Sequence, residues 1–327
     1  MPTLNVARET KMKSTLDTQK TSRRQFLLAA AALAATSAVT RSDAMAKGKS
    51  EKVVNANGVT IATEAFGDPA APPVLLIMGA MASMMWWPDA FCAALASTGR
   101  YMIRYDNRDT GLSTKYAPGN PPYTMDDMAG DAAAVLDAYG LAAANVVGMS
   151  LGGMIAQILA LSAPERVSSL TLVSTTPIGL EIELPPISAA YLEHAASAES
   201  LDWSDRGQVI AFMTKDARMI ASTAHPHDAD RVRTFIERDY DRSGGLLSAT
   251  NHFMLKGGEA VKGKLKSLEA PLLVIHGTTD PIFSIEHGMA IADAVAGSRF
   301  VSIAGGGHEL HGDDWDIILA AIAGHTS

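Results

Sequence analysis

Apolar runs about five residues long recur along this chain, separated by stretches of helical period. Val74-Leu75-Leu76-Ile77-Met78 contains no polar residue, the pattern of a strand covered on both faces. Tyr101 to Tyr105, Asn145 to Val147, Leu170 to Ser174, Pro271 to His276 and Arg299 to Ile303 read as further strands. Ahead of them, Lys52 to Asn55 and Val59 to Ala65 flank Asn57-Gly58, a hairpin dipeptide. Met125 to Tyr139 has helical periodicity until Gly140 stops it, Gly152 to Ala160 is helical in pattern, and Trp315 to Ile322 closes with a helix. Strands alternating with helices imply an α/β fold, a mostly parallel sheet with helices on both faces.

The pattern changes between Pro177 and about Ser267. Strand signals stop, and a polar stretch of helical period follows, punctuated by Pro185-Pro186 and Gly244-Gly245. So strandless a stretch is thin for a domain of its own. We read it as an inserted helical cap over residues 178–267, between core segments 47–177 and 268–327.

The first segment, residues 1–46, is set apart from the fold. Thr21-Ser22-Arg23-Arg24-Gln25-Phe26-Leu27 precedes an alanine-rich apolar stretch to about Val39, and Ala44-Met45-Ala46 supplies a small-x-small cleavage site. This is the pattern of a cleaved twin-arginine signal, so the expected partner is the twin-arginine export machinery and the expected location periplasmic or secreted. An apolar run of about 14 residues falls short of the roughly 20 that span a bilayer, so no stable membrane anchor is expected. The whole chain carries a net charge of -8; without this segment, which holds seven basic and three acidic residues, the remainder stands at -12. So acidic a domain repels nucleic acid and anionic membrane. Cys92 is the single cysteine, which excludes an internal disulfide, and it reads as a helix core position.

Three residues that follow strands can be assembled into chemistry. Ser150 lies in Gly148-Met149-Ser150-Leu151-Gly152, directly after Asn145-Val146-Val147 and before a helix. A strand that turns into a helix almost without a loop strains the serine backbone, and glycines two before and two after remove the side chains that would collide. Asp280 follows Val274-Ile275-His276-Gly277-Thr278-Thr279, and His308 follows the last strand within Ala304-Gly305-Gly306-Gly307-His308-Glu309. Acyl transfer needs a nucleophile, a base, a group that orients the base, and donors for the oxyanion. Ser150, His308 and Asp280 take the first three roles, in the chain order Ser, Asp, His. The backbone N–H of Leu151 and that of Ala80, in the loop after the Val74-to-Met78 strand, are the expected oxyanion donors.

The elbow, Gly79-Ala80, Asp106-Asn107-Arg108-Asp109-Thr110-Gly111-Leu112-Ser113, Asp280-Pro281 and Gly307-His308 together resemble the α/β-hydrolase superfamily. Met78-Gly79, Trp87-Pro88 and Ile103-Arg104-Tyr105-Asp106 resemble most the aclacinomycin methylesterase group within it. The likeness covers roughly residues 53–178 and 268–325. It implies an α/β-hydrolase fold and an ester hydrolase without cofactor, with Ser150, Asp280 and His308 as triad and Ala80 and Leu151 at the oxyanion positions. Two positions depart from the pattern. Met78 stands where most of the superfamily has histidine, and Ala80 where the nearest relatives have a second glycine; the latter keeps a backbone N–H but narrows the mouth.

Other residues invite blander readings. Asp106 and Arg108 are expected to pair with each other structurally, and His225, His227 and His252 to be surface or packing residues of the cap. Met81, Met84, Met85, Trp86 and Trp87 line an apolar substrate pocket or pack the core. No metal site is expected. His308-Glu309-Leu310-His311 spaces its histidines three apart, whereas the zinc-protease helix needs four. Gly305-Gly306-Gly307 lacks the context of a dinucleotide loop. The expectation is therefore an exported serine hydrolase acting on small-molecule carboxylic esters. A small-residue peptidase, a carbon–carbon bond hydrolase or a cofactor-free perhydrolase on the same triad stays open, as does a ligand-binding receptor with a vestigial triad.

Overall fold

A computed structural model describes residues 50–178, 180 and 182–326. The export segment expected over residues 1–46 lies outside them. Eight strands form one sheet: β1 (Ser50–Ala56), β2 (Val59–Phe66), β3 (Pro73–Ile77), β4 (Tyr101–Tyr105), β5 (Ala144–Met149), β6 (Val167–Val173), β7 (Leu272–Gly277) and β8 (Arg299–Ile303). Their spatial order is β1-β2-β4-β3-β5-β6-β7-β8. The hairpin partners β1 and β2 pair antiparallel, as do β2 and β4, and every pair from β4 to β8 is parallel.

The core helices are α1 (Asp89–Ala96), α2 (Met125–Ala138), α3 (Leu151–Ser162), α7 (Ile285–Ala294) and α8 (Trp315–Ala323). Strand side chains alternate between two layers. Leu75, Ile77, Val146 and Leu172 pack with α2, α3 and α7, whereas Val74, Leu76, Val147 and Val173 pack with α1 and α8. Cys92 is fully buried on α1; burial, against the opposing pull of Arg104, pushes its thiol up to about 12. The start of α2 is set locally. Thr124 caps the Asp127 N–H at 3.2 Å while the Asp127 carboxylate accepts from the Thr124 N–H at 2.8 Å.

Between β6 and β7 the described chain holds only helices and irregular turns: α4 (Ala189–Ala196), α5 (Arg206–Met219) and α6 (Ala229–Ser243), with 3₁₀ turns after them. Val209, Ile210, Met213 and Ala217 of α5 pack with Ile236 of α6 into a small core, and Met81 from the loop after β3 enters it. Among the described residues no helix is long and apolar enough to cross a membrane.

The expected Asp106–Arg108 pair is not formed. Arg108 forks onto Asp131 of α2 at 2.6 and 2.7 Å, and Asp106 meets Arg242 of α6 at 2.8 Å. Past the end of β4 the two side chains diverge, and each buried charge is matched by a residue distant in sequence.

Candidate active site

The strand order places this site. The chain steps from β3 outward to β4, then crosses back to β5 on the other side of β3. In an open parallel sheet such a reversal leaves a crevice beyond the carboxyl ends of the two diverging strands. Ile77 of β3 is paired with Gly148 of β5, so Met78-Gly79-Ala80 and Ser150 emerge side by side.

Ser150 has φ 54° and ψ -122°, outside the ordinary regions for a residue with a side chain. Such a conformation costs about 1–3 kcal/mol and persists only where surroundings fix it. Its N–H donates to the Val173 carbonyl at 3.0 Å. Its carbonyl accepts from Gly153 N–H at 2.8 Å, Met154 N–H at 3.2 Å and the Thr175 hydroxyl at 2.7 Å. A Cβ on Gly148 would strike the Gly152 carbonyl, and one on Gly152 would strike that of Ile77. The glycine spacing is therefore a consequence of close backbone approach.

Beside the serine, a Cβ on Gly79 would stand 3.0 Å from Ser150 Cβ. The backbone N–H groups of Ala80 and Leu151 make no hydrogen bond among the described residues. The next N–H, that of Met81, is spent: it donates to His252 Nδ1 at 3.1 Å, and Met81 itself has φ 61°.

Asp280 sits on the turn after β7. Its Oδ1 accepts from Ile282 and Phe283 N–H at 2.9 Å each, and its Oδ2 lies 2.7 Å from His308 Nδ1. Burial favours the protonated acid, but the His308 ring leads a set of favourable partners that outweigh it and hold the carboxyl below its ordinary value. The ionised carboxylate selects Nδ1–H on His308 and leaves Nε2 with its lone pair. The His308 N–H donates to the Ile220 carbonyl at 2.8 Å, which ties the histidine loop to the end of α5. Asp280 and His308 are thus joined. No hydrogen bond joins the Ser150 hydroxyl to His308 among the described residues, although both lie beyond carboxyl ends of parallel strands.

The side chains expected around the substrate divide. Trp87 is fully buried against Phe91, with ring centroids 5.8 Å apart. Met81 enters the insertion's core, and Met84 is buried with its N–H on Asp106 Oδ1 at 2.8 Å. Trp86 donates from Nε1 to Asp239 Oδ2 at 2.9 Å, and Asp239 Oδ1 accepts from the Ser83 hydroxyl at 2.5 Å. Burial pushes the Asp239 carboxyl above its ordinary value against these two bonds. Asp239, Arg242, Ile220 and His252 therefore hook the insertion to the loops around Ser150.

His252, expected as a surface or packing residue of the cap, is instead buried and hydrogen-bonded to the backbone of Met81 and Arg108. Its significance lies in tertiary contacts that carry no local pattern. Elsewhere, His225, His311 and Asp314 bring one possible ligand atom each within 4.8 Å of one another. His225 Nε2 is engaged with Asp314 Oδ1 at 2.8 Å, its ring stacks on His311 at 4.5 Å, and none of the three bonds to Ser150, Asp280 or His308.

A doubly covered, mostly parallel sheet with a strained serine at its crevice defines a class, and the chain belongs to it: the alpha/beta hydrolase fold family, whose model matches residues 72–314. Within that class it is homologous to methylesterases. It is 33% identical to rhodomycin D methylesterase DauP of Streptomyces sp. strain C5 over 291 residues, covering 84% of this chain and 97% of that protein. It is 32% identical to rhodomycin D methylesterase DnrP of Streptomyces peucetius, with the same coverage of 84% and 97%. Among solved structures, the esterase RhEst1 from Rhodococcus sp. ECU1013 shares the fold at TM-score 0.67 and 22% identity, covering 85% of this chain and 98% of that one.

Proposed function

We propose that this protein is a serine hydrolase that cleaves carboxylic esters, methyl esters foremost, through an acyl-enzyme. The observation that carries the reading is the 2.7 Å bond between Asp280 Oδ2 and His308 Nδ1, on the same rim as the strained Ser150. Homology to methylesterases favours a carboxylic ester with a small alcohol.

In this reading His308 Nε2 takes the proton of the Ser150 hydroxyl as its oxygen attacks the ester carbonyl. The free N–H groups of Ala80 and Leu151 receive the oxyanion. Asp280 holds the ring in the required tautomer and stabilises the imidazolium. The proton then passes to the departing alkoxide, which leaves as methanol. Water, deprotonated by the same ring, releases the acid and restores the serine. Residues 178–267 act as the cap over an apolar pocket, with Met81, Met84 and Trp86 behind its wall, and residues 1–46 direct export to the periplasm or beyond.

The test is hydrolysis of a panel of methyl and p-nitrophenyl esters, with Ser150→Ala alongside. Ser150→Ala is expected to abolish turnover and to lose labelling by a fluorophosphonate probe. Undiminished hydrolysis in that variant would remove Ser150 from the mechanism.

A further inference from the structure

We propose that His252, in the insertion, is the positioning residue of the oxyanion loop: its Nε2-protonated ring clamps Met81 in a left-handed conformation and so fixes the Ala80 N–H beside Ser150. This rests on the oxyanion role proposed for Ala80.

The two partners of the ring dictate its tautomer. Nδ1 lies 3.1 Å from the Met81 backbone nitrogen, which can only donate, so Nδ1 carries a lone pair. Nε2 lies 2.7 Å from the Arg108 carbonyl oxygen, which can only accept, so Nε2 carries the proton. Both bonds are buried, and His252 is almost wholly shielded from water. Burial also disfavours the imidazolium, despite the opposing influence of the Arg108 carbonyl and Asp109. An imidazolium would present a proton to the Met81 N–H and lose that bond.

The clamp has an anchored end and a strained end. Arg108 is fixed by its fork onto Asp131 of α2 at 2.6 and 2.7 Å. Met81 has φ 61°, a left-handed conformation that is unfavourable for a residue with a side chain. Without the bond to Nδ1, its buried N–H would be unpaired as well as strained. The bond restrains the Ala80–Met81 peptide, the immediate neighbour of the Gly79–Ala80 peptide that carries the unspent Ala80 N–H, so its loss would loosen the turn that sets that donor. The rest of the loop does not supply this restraint. The Met78 carbonyl is held by Asn107 Nδ2 at 2.9 Å, ahead of the donor, and among the described residues the bond to His252 is the first one beyond it, three residues before the Met84 N–H meets Asp106.

Two substitutions separate the halves of the ring. In His252→Asn the amide oxygen takes the place of Nδ1 and keeps an acceptor for Met81. In His252→Gln the amide nitrogen takes the place of Nε2, keeps the bond to Arg108 and leaves Met81 without an acceptor. With a p-nitrophenyl ester, the Gln variant is expected to lose about 10²-fold in kcat with KM within about threefold, as for a lost oxyanion donor. The Asn variant should stay within about threefold of wild type in both constants. Equal kcat in the two folded variants overturns the proposal, as does a loss confined to KM. Imidazole nitrogen shifts on the wild-type protein decide the matter should either variant fail to fold. A protonated Nε2 with a bare Nδ1 at neutral pH supports the clamp, and the opposite tautomer or an imidazolium overturns it. Should wild type turn over no ester, the functional reading fails and the proposal with it, even where Met81 amide exchange, slow in wild type and fast in the Gln variant, still registers the bond.

Discussion

The crevice between β3 and β5 and the insertion between β6 and β7 are held in place by different means. At the crevice, position comes mainly from backbone: the pairing of Ile77 with Gly148 sets Ser150 beside the loop after β3, and three main-chain bonds with one from the Thr175 hydroxyl fix its backbone. The insertion meets those loops through a few polar hooks, among them Asp239, Arg242 and His252. The first arrangement follows from having the sheet; the second can be undone one side chain at a time. Ser150 and Asp280 thus belong to the scaffold, and under the proposed function the segment between β6 and β7 would adjust the site they form.

The sharpest way to test that division is on the scaffold side. Asp280→Asn keeps an oxygen for the Ile282 and Phe283 N–H groups but turns the His308 tautomer, so kcat should fall on the order of 10⁴-fold with the melting temperature little changed. A fall in stability with kcat intact would reverse the assignment. On the insertion side, Arg242→Ala leaves the carboxylate of the fully buried Asp106 hydrogen-bonded, among the described residues, to the Met84 and Leu112 N–H groups alone. Urea denaturation should show a loss of about 2 kcal/mol, since Arg242 is partly exposed and other donors remain. Unchanged stability would mean that α6 is not latched there.

The smallest expected effect concerns His225. Its bond to Asp314 raises its pKa above the ordinary value. A group raised in the folded state contributes fully below its unfolded value of about 6.5, and that contribution fades as pH climbs through the folded value. The melting-temperature gap between wild type and His225→Gln should therefore be wider near about pH 5.5 than near about pH 8.5. A gap that widens with alkali would refute the pairing.

Much of the scaffold could be read from the amino-acid pattern. The β4 and β8 bounds match the apolar segments Tyr101 to Tyr105 and Arg299 to Ile303. The elbow was legible because its glycines answer a local steric demand. β6 begins at Val167, three residues ahead of the apolar run at Leu170, because Ser168 and Ser169 interrupt that run. Ser169 belongs there because its hydroxyl donates to Asn145 Oδ1 on β5 at 2.7 Å. Asp106 and Arg108 misled because opposite charges close in sequence suggest each other, while their partners came from α6 and α2. His252 has no periodic signal, since hydrogen bonds across 171 and 144 residues leave no mark on a sequence.

The lone thiol on α1 has one more use. Cys92 is fully enclosed, and with its thiol pushed up to about 12 almost no thiolate exists at ordinary pH. A chromogenic disulfide reagent can reach it only when the layer over that face of the sheet swings open. Since the chain has no second cysteine, each molecule releases the colour once, and its rate of appearance would report how often that layer opens.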